Sequence, residues 1–189
     1  MSRRGAIWLF AGMCAGLSCT HYTPKPRGYF RIEPPSPVYA EFSPGNLPCA
    51  FNISSLAGAE FSPAVEDWIN LAYPSLGAVI YCSYLPVTAS TLATVGDESR
   101  ALAVRQVRNG GRITQQAYEN SKSNVYALLY ESGGDSAAPI QFALTDSVSH
   151  FFRGALVYDR VADADSLAPV TQYLKADIVE LIQSFSWKK

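Results

Sequence analysis

Asp146, Ser147, Ser149 and His150 place a carboxylate, two hydroxyls and an imidazole within one short run, Thr145-Asp146-Ser147-Val148-Ser149-His150. Those are the ingredients of nucleophilic acyl transfer, in which the carboxylate orients the imidazole and the imidazole takes the hydroxyl proton. Triad members normally converge from separate elements and act beside an oxyanion donor. Asp and Ser packed together are also turn residues, because their side chains bond nearby backbone groups. A turn is therefore the expected role, and a hydrolase using Asp146, Ser147 and His150 is the alternative. The other histidine, His21, lies in a proline-rich stretch that gives it no fixed orientation.

Metal and phosphate chemistry find less support. The cysteines show no CxxC pairing, and Asp163 and Asp165 lack the glycine and distant glutamate of a calcium loop. Gly133-Gly134-Asp135 has no following Lys-Ser/Thr, so it reads as a turn and not a phosphate loop. No metal, no cofactor and no nucleic-acid partner are expected.

Cys19 offers a different chemistry. Arg3 and Arg4, then the apolar run Ala6 to Leu17, then Gly16 and Ser18 at −3 and −1, read as a secretory signal peptide over residues 1–18. The run is too short to span a bilayer, which takes about 20 residues. A cysteine directly after the cut is the residue that bacterial lipoprotein processing acylates. The usual leucine at −3 is displaced here to Leu17 at −2. Of the four cysteines, Cys14 lies in the removed segment, leaving Cys19, Cys49 and Cys82. If Cys19 carries lipid, Cys49 and Cys82 form a candidate disulfide pair. Both are equally suited to be small buried residues.

Composition bounds the rest. Hydrophobic residues at 48% and charged residues at 16% describe a globular chain. Roughly 170 residues remain after the cut, enough for one domain. The net charge of −1 argues against a basic nucleic-acid surface.

These residues must be positioned by elements the pattern also predicts. Prolines between Pro24 and Pro48 favour an extended tether, with Gly28 to Ile32 as a first edge strand. Within it Arg27, Tyr29 and Arg31 form a basic–aromatic group suited to partner or headgroup contact. Strands are expected at Cys49 to Ile53, Trp68 to Tyr73 and Ala78 to Tyr84, the last two joined as a hairpin. A helix is expected within 88–108, ended by Gly110-Gly111. Strands follow at Val125 to Tyr130, Ile140 to Thr145 and Phe151 to Tyr158. Val170, Leu174, Ile178, Leu181, Ile182 and Phe185 then mark one face of a terminal helix, capped by Asp165 or Ser166. The expected fold is α+β, an antiparallel sheet packed with helices.

Several of these segments together resemble the gliding-motility lipoprotein GldD family of the Bacteroidota. They include Thr23-Pro24-Lys25-Pro26-Arg27-Gly28-Tyr29, Trp68-Ile69-Asn70-Leu71-Ala72-Tyr73-Pro74 and Gln141-Phe142-Ala143-Leu144-Thr145-Asp146-Ser147. His150-Phe151-Phe152-Arg153-Gly154 and the closing Ser184-Phe185-Ser186-Trp187-Lys188 continue the likeness. The chain departs from the family at Asp67, where a second cysteine is usual, and at Cys82. The closing strand and helix also resemble PsbP-like sandwich domains. The resemblance implies a lipidated Pro-rich tether at 19–27 and a single domain at 28–189. It implies a non-enzymatic role in gliding motility and the associated type IX secretion machinery, anchored by lipid and facing the periplasm. Its partners would be the membrane and other gliding or secretion proteins. Two other classes stay open: the periplasmic hydrolase above, and a small-ligand binder recognisable by an aromatic-lined pocket.

Overall fold

Alternation of apolar and polar residues builds the largest element of the molecule, a seven-stranded antiparallel sheet. In the computed structural model, residues 35–61, 65–107, 111–134, 136–159 and 164–188 are described. The expected strand at Gly28 to Ile32, together with Cys19, Arg27, Tyr29 and Arg31, lies outside them.

The strands are β1 (Tyr39–Phe42), β2 (Cys49–Ser54), β3 (Gly58–Phe61), β4 (Trp68–Tyr73), β5 (Ala78–Pro86), β6 (Ile113–Asn120), β7 (Val125–Ser132), β8 (Ile140–Thr145), β9 (His150–Tyr158) and β10 (Ser186–Trp187). Helix α1 spans Leu92–Arg105 and α2 spans Ala164–Ser184. The large sheet runs β3-β4-β5-β9-β8-β7-β6, and a small sheet runs β1-β2-β10. The expected hairpin forms as β4 and β5, with Tyr73 opposite Ala78. Gly77 closes its turn at φ 58°, a left-handed conformation that glycine adopts without steric cost.

One face of the large sheet is the core. Ile69, Leu71, Ile80, Phe142, Phe152 and Leu156 meet Val170, Leu174, Ile178, Leu181, Ile182 and Phe185 of α2, all buried. Each such side chain contributes about 1.5–3 kcal/mol on leaving water. The small sheet packs on the same core through Cys49 and Phe51, and Phe51 stacks on Phe185 with ring centres 5.7 Å apart. Gly154 of β9 is required by this packing: a Cβ there would lie 2.3 Å from the Phe142 ring.

The structure revises two local expectations, the end of α1 and the cap of α2. Helix α1 stops at Arg105, short of Gly110-Gly111, with the Gln106 N–H bonding the Leu102 carbonyl. Asp165 and Ser166 lie inside the first turn of α2 and do not precede it. Asp165 still suits that place, where a negative charge meets the positive end of the helix dipole. Pro169 falls beyond the first turn, so one intrahelical bond is lost there. Strands β1, β3, β6 and β10 were not legible in the pattern. Strand β6, Ile-Thr-Gln-Gln-Ala-Tyr-Glu-Asn, is mostly exposed at the sheet edge, where polar side chains discourage edge-to-edge pairing. Among the described residues no helix is long and apolar enough to cross a membrane.

Candidate functional site

The run from Asp146 to His150 links β8 to β9 and is built as a turn around one carboxylate. Asp146 Oδ1 accepts the backbone N–H groups of Val148, Ser149 and His150 at 2.9, 2.8 and 2.8 Å. Its Oδ2 accepts the Ser149 hydroxyl at 2.9 Å. Partial burial pushes this carboxyl upward, but those four hydrogen bonds outweigh it and hold it at about 2. Ser147 takes a left-handed φ of 66°, and its N–H bonds Thr145 Oγ1 at 2.9 Å.

The imidazole points elsewhere. His150 Nδ1 lies 2.8 Å from the Tyr84 hydroxyl of β5. Its ring stacks on Trp187 of β10, centres 4.9 Å apart and planes 18° from parallel. Phe185 meets Trp187 edge-on at 4.8 Å. The structure thus brings Asp146 and Ser149 together but pairs the histidine ring with Tyr84 and Trp187. Sequence spacing gave no hint of either partner, 66 residues before and 37 after His150. The register of β5 against β9, with Pro86 opposite His150, brings the Tyr84 hydroxyl to the imidazole.

Cys49 and Cys82 are both fully buried as free thiols in the shared core. Desolvation pushes the Cys49 thiol up to about 12, with Lys188 opposing. Cys82 is raised as well, by burial and then by the nearby Cys49. A disulfide between them stays a proposal.

A second polar cluster escaped sequence analysis. Asp177 of α2 is 4% exposed, and its Oδ1 accepts the Tyr39 hydroxyl of β1 at 2.8 Å. Its Oδ2 is buried without a hydrogen-bond partner, although the hydroxyls of Tyr73 and Ser54 are close enough to favour its charge. Burial dominates and raises the carboxyl above its ordinary value. The signal available was a lone aspartate on the apolar stripe of the helix, beside Ile178.

The opposite face of the large sheet is divided. Helix α1 covers part of it, where Leu92 and Val95 pack against Val87, Ala143 and Phe151. Trp68, Tyr81 and Leu85 lie on the uncovered part and are 47, 47 and 45% exposed. Beside them the Arg153 guanidinium donates to Ser83 Oγ at 3.1 Å. Among the described residues no group of His, Cys, Asp and Glu is arranged to hold a metal ion.

The solution structure of cyanobacterial PsbP (CyanoP) from Synechocystis sp. PCC 6803 is similar, with a TM-score of 0.47 and 10% identity, covering 79% of this chain and 92% of that one. No curated protein matches the chain. The family model described as gliding motility lipoprotein GldD matches residues 19–187, from Cys19 through Trp187. This chain belongs to the gliding motility lipoprotein GldD family.

Proposed function

We propose that this chain is a lipid-anchored, non-catalytic accessory protein of the gliding machinery and its associated type IX secretion system, held on the periplasmic side of the envelope. The carrying observation is the family match, which begins at Cys19, the residue that signal-peptide reasoning marks for acylation. In this reading residues 1–18 are removed, 19–27 tether the protein, and 28–189 form its domain. Arg27, Tyr29 and Arg31 would contact a partner or lipid headgroups near the membrane. A diacylglycerol-type anchor supplies more than one chain, enough for stable attachment.

The non-catalytic part is supported by the Asp146 turn. Its carboxylate is engaged by backbone N–H groups, and its nearest serine donates to that carboxylate. Replacement tests both parts. Cys19→Ala should move the protein from the membrane to the soluble fraction and stop gliding and type IX export. His150→Ala, in protein shown to be folded, should leave gliding intact. Loss of gliding in that folded variant would overturn the non-catalytic reading.

A further inference from the structure

Strands β3, β4, β5 and β9 carry one acidic and one basic side chain between them, Glu60 and Arg153. The register sets these on opposite margins of one patch. Glu60 lies opposite Asn70 and Asn70 opposite Tyr81, while Trp68 lies opposite Ser83 and Ser83 opposite Arg153. Alternation puts all six on one face of the sheet, turned away from Ile69, Ile80 and Phe152 of the core. Between the two charges Trp68 and Tyr81 stand about half exposed, and Leu85 extends the patch along β5. Large apolar side chains grouped in water mark a contact surface, and Trp, Tyr and Arg dominate the energetics of such contacts.

Neither charge is answered within the described residues. Glu60 is exposed on the edge strand β3, Arg153 is half-buried on β9, and neither has an ion-pair partner there. The Arg153 Nε donates to Ser83 Oγ, which steadies the guanidinium and leaves its outer N–H groups to bond elsewhere. Helix α1 packs over Val87, Ala143 and Phe151, so it borders the patch without covering it.

The two charges stand three strand spacings apart, about 14 Å. The midpoint of the line joining them falls between β4 and β5, between Trp68 and Tyr81. A partner that answers both charges must offer a negative and a positive group at that separation, with apolar surface between them. A lone anion meets Arg153 and leaves Glu60 repelling it. A second copy of the same face, turned over about that midpoint, meets both conditions. In such an isologous contact residue i meets j and j meets i. Glu60 of each copy then faces the partner's Arg153, and Trp68 and Tyr81 meet their own counterparts beside the axis.

We propose that a second copy of this chain docks on this face, forming a two-fold dimer in which two reciprocal Glu60–Arg153 pairs flank a centre of Trp68 and Tyr81. The contact covers only part of one sheet face, which places it among the smaller, reversible interfaces.

Sedimentation equilibrium tests it on residues 19–189 carrying Cys19→Ala, a change that removes both acylation and thiol pairing at that position. A monomer–dimer equilibrium is expected at concentrations up to about 100 μM, the range that reads micromolar affinity. Trp68→Ala should weaken the dimer about tenfold or more, as loss of a central aromatic does. Glu60→Arg and Arg153→Glu should each weaken it about tenfold or more, because each sets like charges face to face twice. Mixing these two variants should restore association, since the heterodimer pairs opposite charges at both sites. Glu60→Arg lies on an exposed edge strand and decides alone if Arg153→Glu does not fold. A monomer at every concentration, a dimer of unchanged strength in folded Glu60→Arg, or no association in the mixture of folded variants overturns the proposal.

Discussion

Asp146 grips His150 by its backbone and not by its ring: the carboxylate accepts the His150 N–H at 2.8 Å, while the imidazole Nδ1 sits 2.8 Å from the Tyr84 hydroxyl. A constellation that looks catalytic on paper is thus divided between a turn and an aromatic corner. The division sets distinct expectations for each residue.

Asp146→Ala should destabilise the domain by about 1–2 kcal/mol, as loss of a capping side chain does. Because the folded carboxyl is held at about 2, below its unfolded value, its contribution is complete above about pH 4 and lost as pH falls towards 2. Urea unfolding at pH 7 and pH 2.5 checks this. The difference between wild type and Asp146→Ala should shrink at the lower pH.

Asp177 should behave in the opposite sense. Its folded carboxyl is raised by burial, so its contribution is most favourable below the unfolded value, near pH 4, and is lost as pH rises through the folded value. Asp177→Asn keeps an acceptor for the Tyr39 hydroxyl and should flatten that loss. Asp177→Ala removes the acceptor and should cost about 1–3 kcal/mol. A denaturation series across pH 4 to 8 distinguishes the three proteins.

Gly154→Ala should cost about 1–3 kcal/mol by overpacking, since the new methyl would enter the Phe142 ring. The double variant Gly154→Ala with Phe142→Leu should recover part of the loss. Independent, additive effects measured by thermal unfolding would contradict the contact.

Cys49 and Cys82 should resist alkylation in the native protein, because burial keeps both thiols protonated. Denaturation without reductant then reads the pairing proposal. A bridged protein exposes neither thiol and is lighter by two hydrogens in intact mass, whereas an unbridged one exposes both.

Gly110-Gly111 shows where local signals fall short: the helix before them ends at Arg105, on a backbone bond from Gln106 to Leu102. The long apolar runs were read well, because β4, β5, β7, β8 and β9 are rich in buried apolar residues and α2 repeats its buried residues at the helical spacing. Edge strands β3 and β6 bury little, so no periodicity marks them. Strand β10 is two residues long and exists only because β2 is there to pair with it.

By itself the sequence determined the α+β class, the hairpin of β4 and β5, the terminal helix, the cysteine that opens the family match, and the family. Local chemistry settles these: periodicity, turn residues and linear motifs act over a few residues. Tertiary structure alone decided that β9 joins β5 across α1, β6, β7 and β8. It also decided that His150 meets Tyr84 and Trp187, that Asp177 is buried beside Tyr39, and that α1 leaves a cleft over β7. Those relations join residues far apart in the chain, and only packing of the whole core selects which of them meet.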